Sequence, residues 1–324
     1  MSAPQRSRWQ TLAQPKIVVP VLLTAALLAA AIGLSDVPRA FGRIRNIPLL
    51  SLLGAFLLAA AYWVLKGLQF YGFLRELRID INWRHLLLAY AVGELTLTLP
   101  LGVYAQNYVL QRLQGTGFYR SAAVTTIMLI IESGVFFLAL AVISVRGWPW
   151  LQPLALACLL ASMAVFAVLA HSDRVWGFVA RQMDRFQILG QAPVEFLRGL
   201  RSLAFMRVIA RRGYLTLLYA GALVWAFLVV SHGVGVAGLT VAQAVTIYAF
   251  SLSIALICGG VLSQVGIVEM AGMGVAQAWG YSFTEGLAML LGFRLVWTAS
   301  IWLLSLPVIF WLRREFAASG PDSS

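Results

Sequence analysis

The chain of 324 residues carries 24 Lys and Arg against 12 Asp and Glu, yet charged residues make up only 11% of it and hydrophobic residues 61%. A soluble domain holds roughly 25% charge, so the composition excludes a globular enzyme and predicts an all-α, multi-spanning membrane helix bundle. The 1–324 span reads as a single transmembrane domain without a soluble catalytic module. The net charge of +12 suits anionic lipid headgroups on a cytoplasmic face. Nucleic acid is not expected as a partner, because no soluble basic domain is present to bind it.

In chain order, continuous spans are predicted at 17–35, 48–70, 119–145, 150–170, 214–235 and 284–312. The first follows Arg6, Arg8 and Lys16. Its length and the many later spans favour a retained helix over a cleaved signal. Two regions resist a continuous reading. Residues 85–113 hold a short apolar run, then Thr98, Pro100 and Gly102, then another short run; residues 240–280 repeat the pattern around Gly259, Gly260 and Gly266. Each reads as helix, break, helix. The architecture expected is therefore about six full spans plus two broken or re-entrant helix hairpins.

Charge on the connections decides how often the broken regions cross. If each returns to its starting side, one side collects the N-terminus, the 71–84 loop, Arg112, Arg120, the 171–213 loop, Arg313 and Arg314, eighteen of the 24 basic residues. The other side holds Arg39, Arg43, Arg45 and Arg146. The positive-inside rule selects this arrangement, with both termini cytoplasmic in a bacterial inner membrane. The first hairpin then enters from the cytoplasmic side and the second from the outer side. Repeat-like halves at 48–145 and 214–312 are thereby inverted, a pattern that in transporters points to a site near the bilayer midplane. Between them, 171–213 alternates arginines with apolar residues and is divided by Pro193. It reads either as two amphipathic helices on the inner leaflet or as a connector whose charges fix topology.

Few residues in the spans are ionisable. Arg294 falls nine residues beyond Glu285, about 13 Å along its helix. Glu269 opens the helix after the second break and is expected either to close its own helix end or to pair at mid-depth with Arg294. Glu132 lies near mid-depth with Arg294 or the surroundings of Glu269 as its expected partner, and Glu94 precedes the first break. Such residues usually face a bundle interior or a pathway. Gly266, Gln264, Gln106 and Asn107, with Thr96, Thr98, Tyr104 and Ser263, would line the route at the two breaks, where restarting helices aim N–H groups at the bilayer centre. Ser282 and Glu285 read as a capping box, and Lys66 as a side chain that snorkels to the interface. Cys158 and Cys258 lie apart, and His85, His171 and His232 are scattered. No metal ligand set, cofactor or catalytic constellation is therefore predicted.

LSQVGIVEMA, followed 25 residues after Glu269 by Arg294 within GFR, resembles the lysylphosphatidylglycerol synthase transmembrane-domain family, the flippase-like membrane proteins. Gly266, Glu269 and Arg294 match that family's Gly-x-x-Glu and following Arg. In the first half Pro100, Gly102, Tyr108 and Leu110 match, whereas Val103 and Gln106 replace a Glu and an Arg, and a Glu-Arg pair reads Glu132-Ser133. The resemblance covers about residues 15–315 and implies the fold, not the substrate. The family's soluble aminoacyl-transfer domain is absent, so lysyl transfer is not implied. The expected function is a lipid translocator, without a Walker motif, moving an anionic or isoprenoid-linked headgroup through a midplane cavity. The alternative is an integral-membrane enzyme or an accessory subunit of envelope lipid or lipid-linked glycan synthesis. A partner enzyme and a homo-oligomer both stay open.

Overall fold

The computed structural model describes residues 33–97, 102–143, 145, 147–172, 192–258 and 266–318, with isolated positions 26, 29, 30 and 177. The predicted span at 17–35, the breaks at Thr98, Pro100, Gly259 and Gly260, the route residues Ser263 and Gln264, and most of 173–191 lie largely or wholly outside them.

The described chain is helical throughout. In order it forms α1 (Val37–Arg45), α2 (Leu49–Glu76), α3 (Trp83–Thr96), a 3-10 turn (Gly102–Tyr104), α4 (Ala105–Gln114), α5 (Phe118–Val142), α6 (Leu151–His171), α7 (Ala192–Leu203), α8 (Met206–Gly233), α9 (Val241–Cys258), α10 (Ile267–Ala278) and α11 (Phe283–Ala318). Five stretches are long and apolar enough to cross a membrane: Leu49–Glu76, Phe118–Val142, Leu151–Val168, Arg207–Gly233 and Phe283–Arg314. These are the five predicted spans that fall on described residues.

Three boundaries differ from the reading by hydropathy. Residues 36–47, expected as a loop, contain α1, which Asp36 starts by accepting a hydrogen bond from the Arg39 N–H at 3.1 Å. The span expected from 214 starts at Met206, because Arg207, Arg211 and Arg212 extend the helix into the polar interface without interrupting its backbone bonds. The part of 171–213 that forms α7 packs on α5, burying Leu203 completely and leaving Leu200 8% exposed. Its apolar stripe is satisfied by protein and not by lipid alone.

The centre of the bundle is the contact between α2 and α8, the most extensive among the described helices. It is antiparallel. Gly233 at the end of α8 lies against Ile47 and Ser51 at the start of α2, Gly54 faces Val229, and Gln69 donates to Thr216 Oγ1 at 2.7 Å near the other end. Ala55, Ala59 and Ala226 are almost wholly buried along this seam. Small side chains let the backbones approach, which is what holds helices together where lipid is as apolar as the helix surface. Outside the seam, Leu154, Leu156, Leu160, Met163 and Val165 of α6 are exposed, a surface that suits hydrocarbon.

Both broken regions are antiparallel helical hairpins. In the first, Thr96 Oγ1 donates to the Gly102 carbonyl at 2.9 Å, and Gly93 lies against Gln106. In the second, Gly272 lies against Ser251, Trp279 Nε1 donates to Thr246 Oγ1 at 2.9 Å, and Tyr281 donates to Gln243 at 3.0 Å. At a rise of about 1.5 Å per residue, arms of 14, 10, 18 and 12 residues reach about 15 to 27 Å, short of the roughly 30 Å hydrocarbon core.

Because α2 leads into the first hairpin and α8 into the second, and α2 and α8 are antiparallel, the hairpins are rooted at opposite ends of the bundle. Trp83 at the root of the first packs on Trp311 near the end of α11. Thr284 at the start of α11 accepts from the Asp36 N–H, at the root of the second. Twelve of the sixteen described arginines gather at the first root, three lie on α1 at the other, and Arg294 is between them.

Candidate functional site

The described ends of the two hairpins and the α2–α8 seam line a cavity of about 110 Å3. Its wall is drawn from both halves: Tyr62 and Lys66 of α2, Leu97 at the first tip, Glu132 of α5, Tyr248 of α9, Val268 at the second tip, and Phe293, Arg294 and Trp297 of α11. A smaller pocket of about 20 Å3 shares Lys66, Leu97, Leu129 and Glu132 and adds Glu94, Val103, Gln106 and Thr125. The first hairpin thus brings Glu94 and Gln106 to the smaller pocket, while the second brings Tyr248, Leu252 and Val268 to the larger one.

Two ion pairs flank it. Lys66 Nζ lies 3.0 Å from Glu94 Oε1, Lys66 also donates to the Tyr62 hydroxyl, and both members of the pair are 7% exposed. Residues 62, 66, 69 and 73 recur at helical spacing, so one face of α2 carries Tyr62, Lys66, Gln69 and Phe73 into the core. Lys66 is thus not snorkelling: its ammonium group turns inward, while Val64 and Leu68 occupy the exposed face. The ring of Tyr62 meets Trp297 and Tyr219 edge-on, with centroids 5.0 and 5.5 Å apart.

The second pair is built at the restart of the other hairpin. Gly266 takes φ +87°, a conformation that favours glycine, and its N–H donates to Glu269 Oε2 at 2.7 Å. The other oxygen, Oε1, lies 2.9 Å from Arg294 Nε. Glu269 therefore closes its own helix end and binds the arginine simultaneously, and the α10 N-terminus is already occupied by a carboxylate. The predicted pairing of Glu269 with Arg294 is present in the geometry.

Glu132 is 5% exposed and accepts from the Tyr219 hydroxyl at 3.5 Å. It shares the cavity wall with Lys66 and Arg294, but the basic groups closest at hand are engaged by the other two acids. Glu94 is paired to Lys66, and among the described residues its Oε2 has no hydrogen-bond partner. Gln106 and Asn107 each donate an amide N–H to Thr125 Oγ1 at 2.9 Å. Gln106 reaches the smaller pocket, and Asn107 is fully buried behind it. Thr96 Oγ1 lies within hydrogen-bond distance of the Val92, Gly93 and Gly102 carbonyls, with one proton to share among them, and its reach to Gly102 fastens the hairpin. Tyr104 turns to Thr126 at 3.0 Å. Glu285 forms its capping box with Ser282 at 3.0 and 3.2 Å and reaches Arg43 at 3.5 Å, remote from the cavity.

Hydropathy reading missed Lys66, Tyr62, Tyr219 and Trp297. The available signal was the i, i+4, i+7 recurrence of Tyr62, Lys66 and Gln69 on one helical face, which marks a polar stripe directed inward. Chemically, the wall offers two cations, each held by a carboxylate, a third carboxylate and several ring hydroxyls. Such a set can exchange internal ion pairs for contacts with an entering anion. Among the described residues no group of three or more His, Cys, Asp and Glu is assembled for a metal. No family model matches the chain, and no curated protein matches it.

Proposed function

We propose that the protein translocates a lipid headgroup of anionic or isoprenoid-phosphate chemistry across a bacterial inner membrane, between two inverted hairpins. The observation that carries this reading is the cavity between the tips, with Lys66 paired to Glu94 on one flank and Arg294 to Glu269 on the other. Ionisable pairs inside a membrane are retained against a desolvation penalty of several kcal/mol per ion. A transport path gives that penalty a use: an entering phosphate takes the place of a carboxylate at Lys66 or Arg294, and the carboxylate reclaims its partner when the phosphate leaves.

Two further features support inverted halves. The helix orders α2–α3–α4–α5 and α8–α9–α10–α11 match, and the contacts exchange in pairs: α3 packs on α11 as α9 packs on α5, and α2 on α11 as α8 on α5. The arginine-rich end would face the cytoplasm by the positive-inside rule. The resemblance to the lysylphosphatidylglycerol synthase transmembrane-domain family belongs to the same proposal, resting on Gly266, Glu269 and Arg294.

The test is exchange of fluorescently labelled phosphatidylglycerol and of a polyprenyl phosphate between leaflets of proteoliposomes. The parent protein exchanges at least one of them above protein-free vesicles. Arg294→Ala abolishes exchange. Because that change strands Glu269, the pair R294M/E269Q is the companion variant: the glutamine oxygen can still accept the Gly266 N–H, and both charges of the Glu269–Arg294 pair are removed together. Undiminished exchange by this folded double variant would overturn the site.

A further inference from the structure

A further cavity lies at the arginine-rich end and shares no lining residue with the two central ones. It is an open cleft of about 420 Å3 between the end of α2, the start of α5 and α7, lined by Glu76, Arg78, Arg120, Glu195, Arg198 and Ser202 among others. Glu76 is engaged by Arg212 at 3.4 Å and Arg211 at 3.9 Å, which leaves Glu195 as the remaining carboxylate against three arginines among the described lining residues. The close crossing of α7 over α5 fixes the cleft's width: a Cβ on Gly199 would stand 2.8 Å from that of Ala123. Arg120 is fixed in turn, its Nη2 donating to the Leu77 carbonyl.

Arg78 supplies the strongest sign that the cleft is more than a charged surface. It has φ +53° and is the only non-glycine residue with positive φ among the described residues. The Arg78 N–H bonds the Arg75 carbonyl at 2.9 Å and the Ile79 N–H bonds the Leu74 carbonyl at 3.0 Å, the Schellman closure of α2. Glycine is the usual occupant of that position. The chain keeps an arginine there against the conformational preference, and its side chain lines the cleft. Strain of this kind clusters at ligand sites.

The level of the cleft identifies the ligand. Trp83, Tyr119, Tyr214 and Trp311 are exposed at the same end, and Tyr119 adjoins Arg120. Exposed Trp and Tyr rings at helix ends mark the headgroup region of a bilayer. A guanidinium cluster at that depth matches a phosphodiester, which arginine binds through paired N–H donors. We propose that this cleft binds the phosphate of an anionic lipid in the leaflet on the arginine-rich side. The site does not depend on translocation through the central cavity.

The experiment measures binding of short-chain phosphatidylglycerol to the detergent-solubilised full chain by native mass spectrometry, with phosphatidylcholine as reference. The double variant R78G/R198Q lowers phosphatidylglycerol binding at least about tenfold, while Arg39→Gln at the opposite end leaves it unchanged. Arg78→Gly alone also weakens binding and, because glycine suits φ +53°, keeps or raises the thermal unfolding midpoint, so loss of binding cannot be assigned to unfolding. Unchanged phosphatidylglycerol binding by R78G, or equal binding of phosphatidylcholine by the parent, overturns the proposal. Displacement of the lipid by millimolar inorganic phosphate assigns the cleft to a soluble phosphate and overturns its lipid form.

Discussion

Lys66 is seventeen residues into α2 and has its charge within 3.0 Å of Glu94. In a buried pair the two desolvation costs are offset only while both partners are present. Lys66→Met should therefore destabilise the protein by about 3–5 kcal/mol, by leaving the buried Glu94 without its cation. The double variant K66M/E94L should recover most of that loss, since an apolar pair of similar volume is often neutral or better. Thermal unfolding in detergent of the parent, both single variants and the double variant closes the cycle. Additive single effects would show that the two side chains do not interact. If stability is recovered while lipid exchange is lost, the pair is retained for function. The sequence contains Lys66 and Glu94 in plain view, but their pairing is not legible there. One lies in a long span and the other in a hairpin arm, and only the packing of α2 against α3 and α11 determines that the lysine turns inward. Glu269 and Arg294 were legible for the opposite reason: a glycine-rich break followed by a carboxylate three positions into the new helix is a local pattern with a local cause.

At the scale of elements, the second hairpin is closed by glycine at one position and indifferent to it at another. A Cβ on Gly272 would stand 2.4 Å from Ser251 Oγ and 2.6 Å from Leu290 Cδ1, whereas one on Gly274 would meet only Trp148 at 3.7 Å, an ordinary contact. Gly272→Ala should thus wedge α10 away from α9 and α11 at a cost of about 1–3 kcal/mol. Gly274→Ala, two residues along the same helix, should stabilise by up to about 1 kcal/mol through helix propensity alone. Paired unfolding measurements on the two variants separate hairpin packing from a general intolerance of α10 to substitution; equal effects would refute the close packing. The existence of both hairpins was readable from Pro100, Gly102 and the Gly259–Gly266 stretch, because backbone breaks are written in residue type. Which glycine is a breaker and which is a packing site was not, since Gly272 and Gly274 look alike until α9 and α11 are placed beside them. The α1 helix escaped for a related reason: its polar face and three arginines resemble a loop, and its Asp36 cap is a single residue.

The whole molecule adds an argument about sidedness that no single helix contains. Ser202 on α7 and Ala237 beyond α8 are both exposed, and the 28 residues of α8 separate them by about 42 Å along its axis. They therefore lie at opposite ends of the bundle, Ser202 with the twelve gathered arginines and Ala237 with α1. The orientation proposed from the positive-inside rule would put the first end in the cytoplasm. In a background carrying Cys158→Ala and Cys258→Ala, Ala237→Cys should react with a membrane-impermeant maleimide added to intact spheroplasts, and Ser202→Cys only after the membrane is opened. The reverse labelling would turn the protein over and place the phosphate cleft in the outer leaflet. Labelling of both from one side would remove the membrane-spanning reading of α8 and, with it, the opposed hairpins. The antiparallel seam of α2 and α8 makes these outcomes informative beyond two residues, because each hairpin is rooted at the end where its preceding helix stops. Fixing the side of Ser202 fixes the side of Trp83, and fixing Ala237 fixes Tyr281. One pair of cysteines then decides from which leaflet each hairpin tip reaches the cavity shared by Lys66 and Arg294.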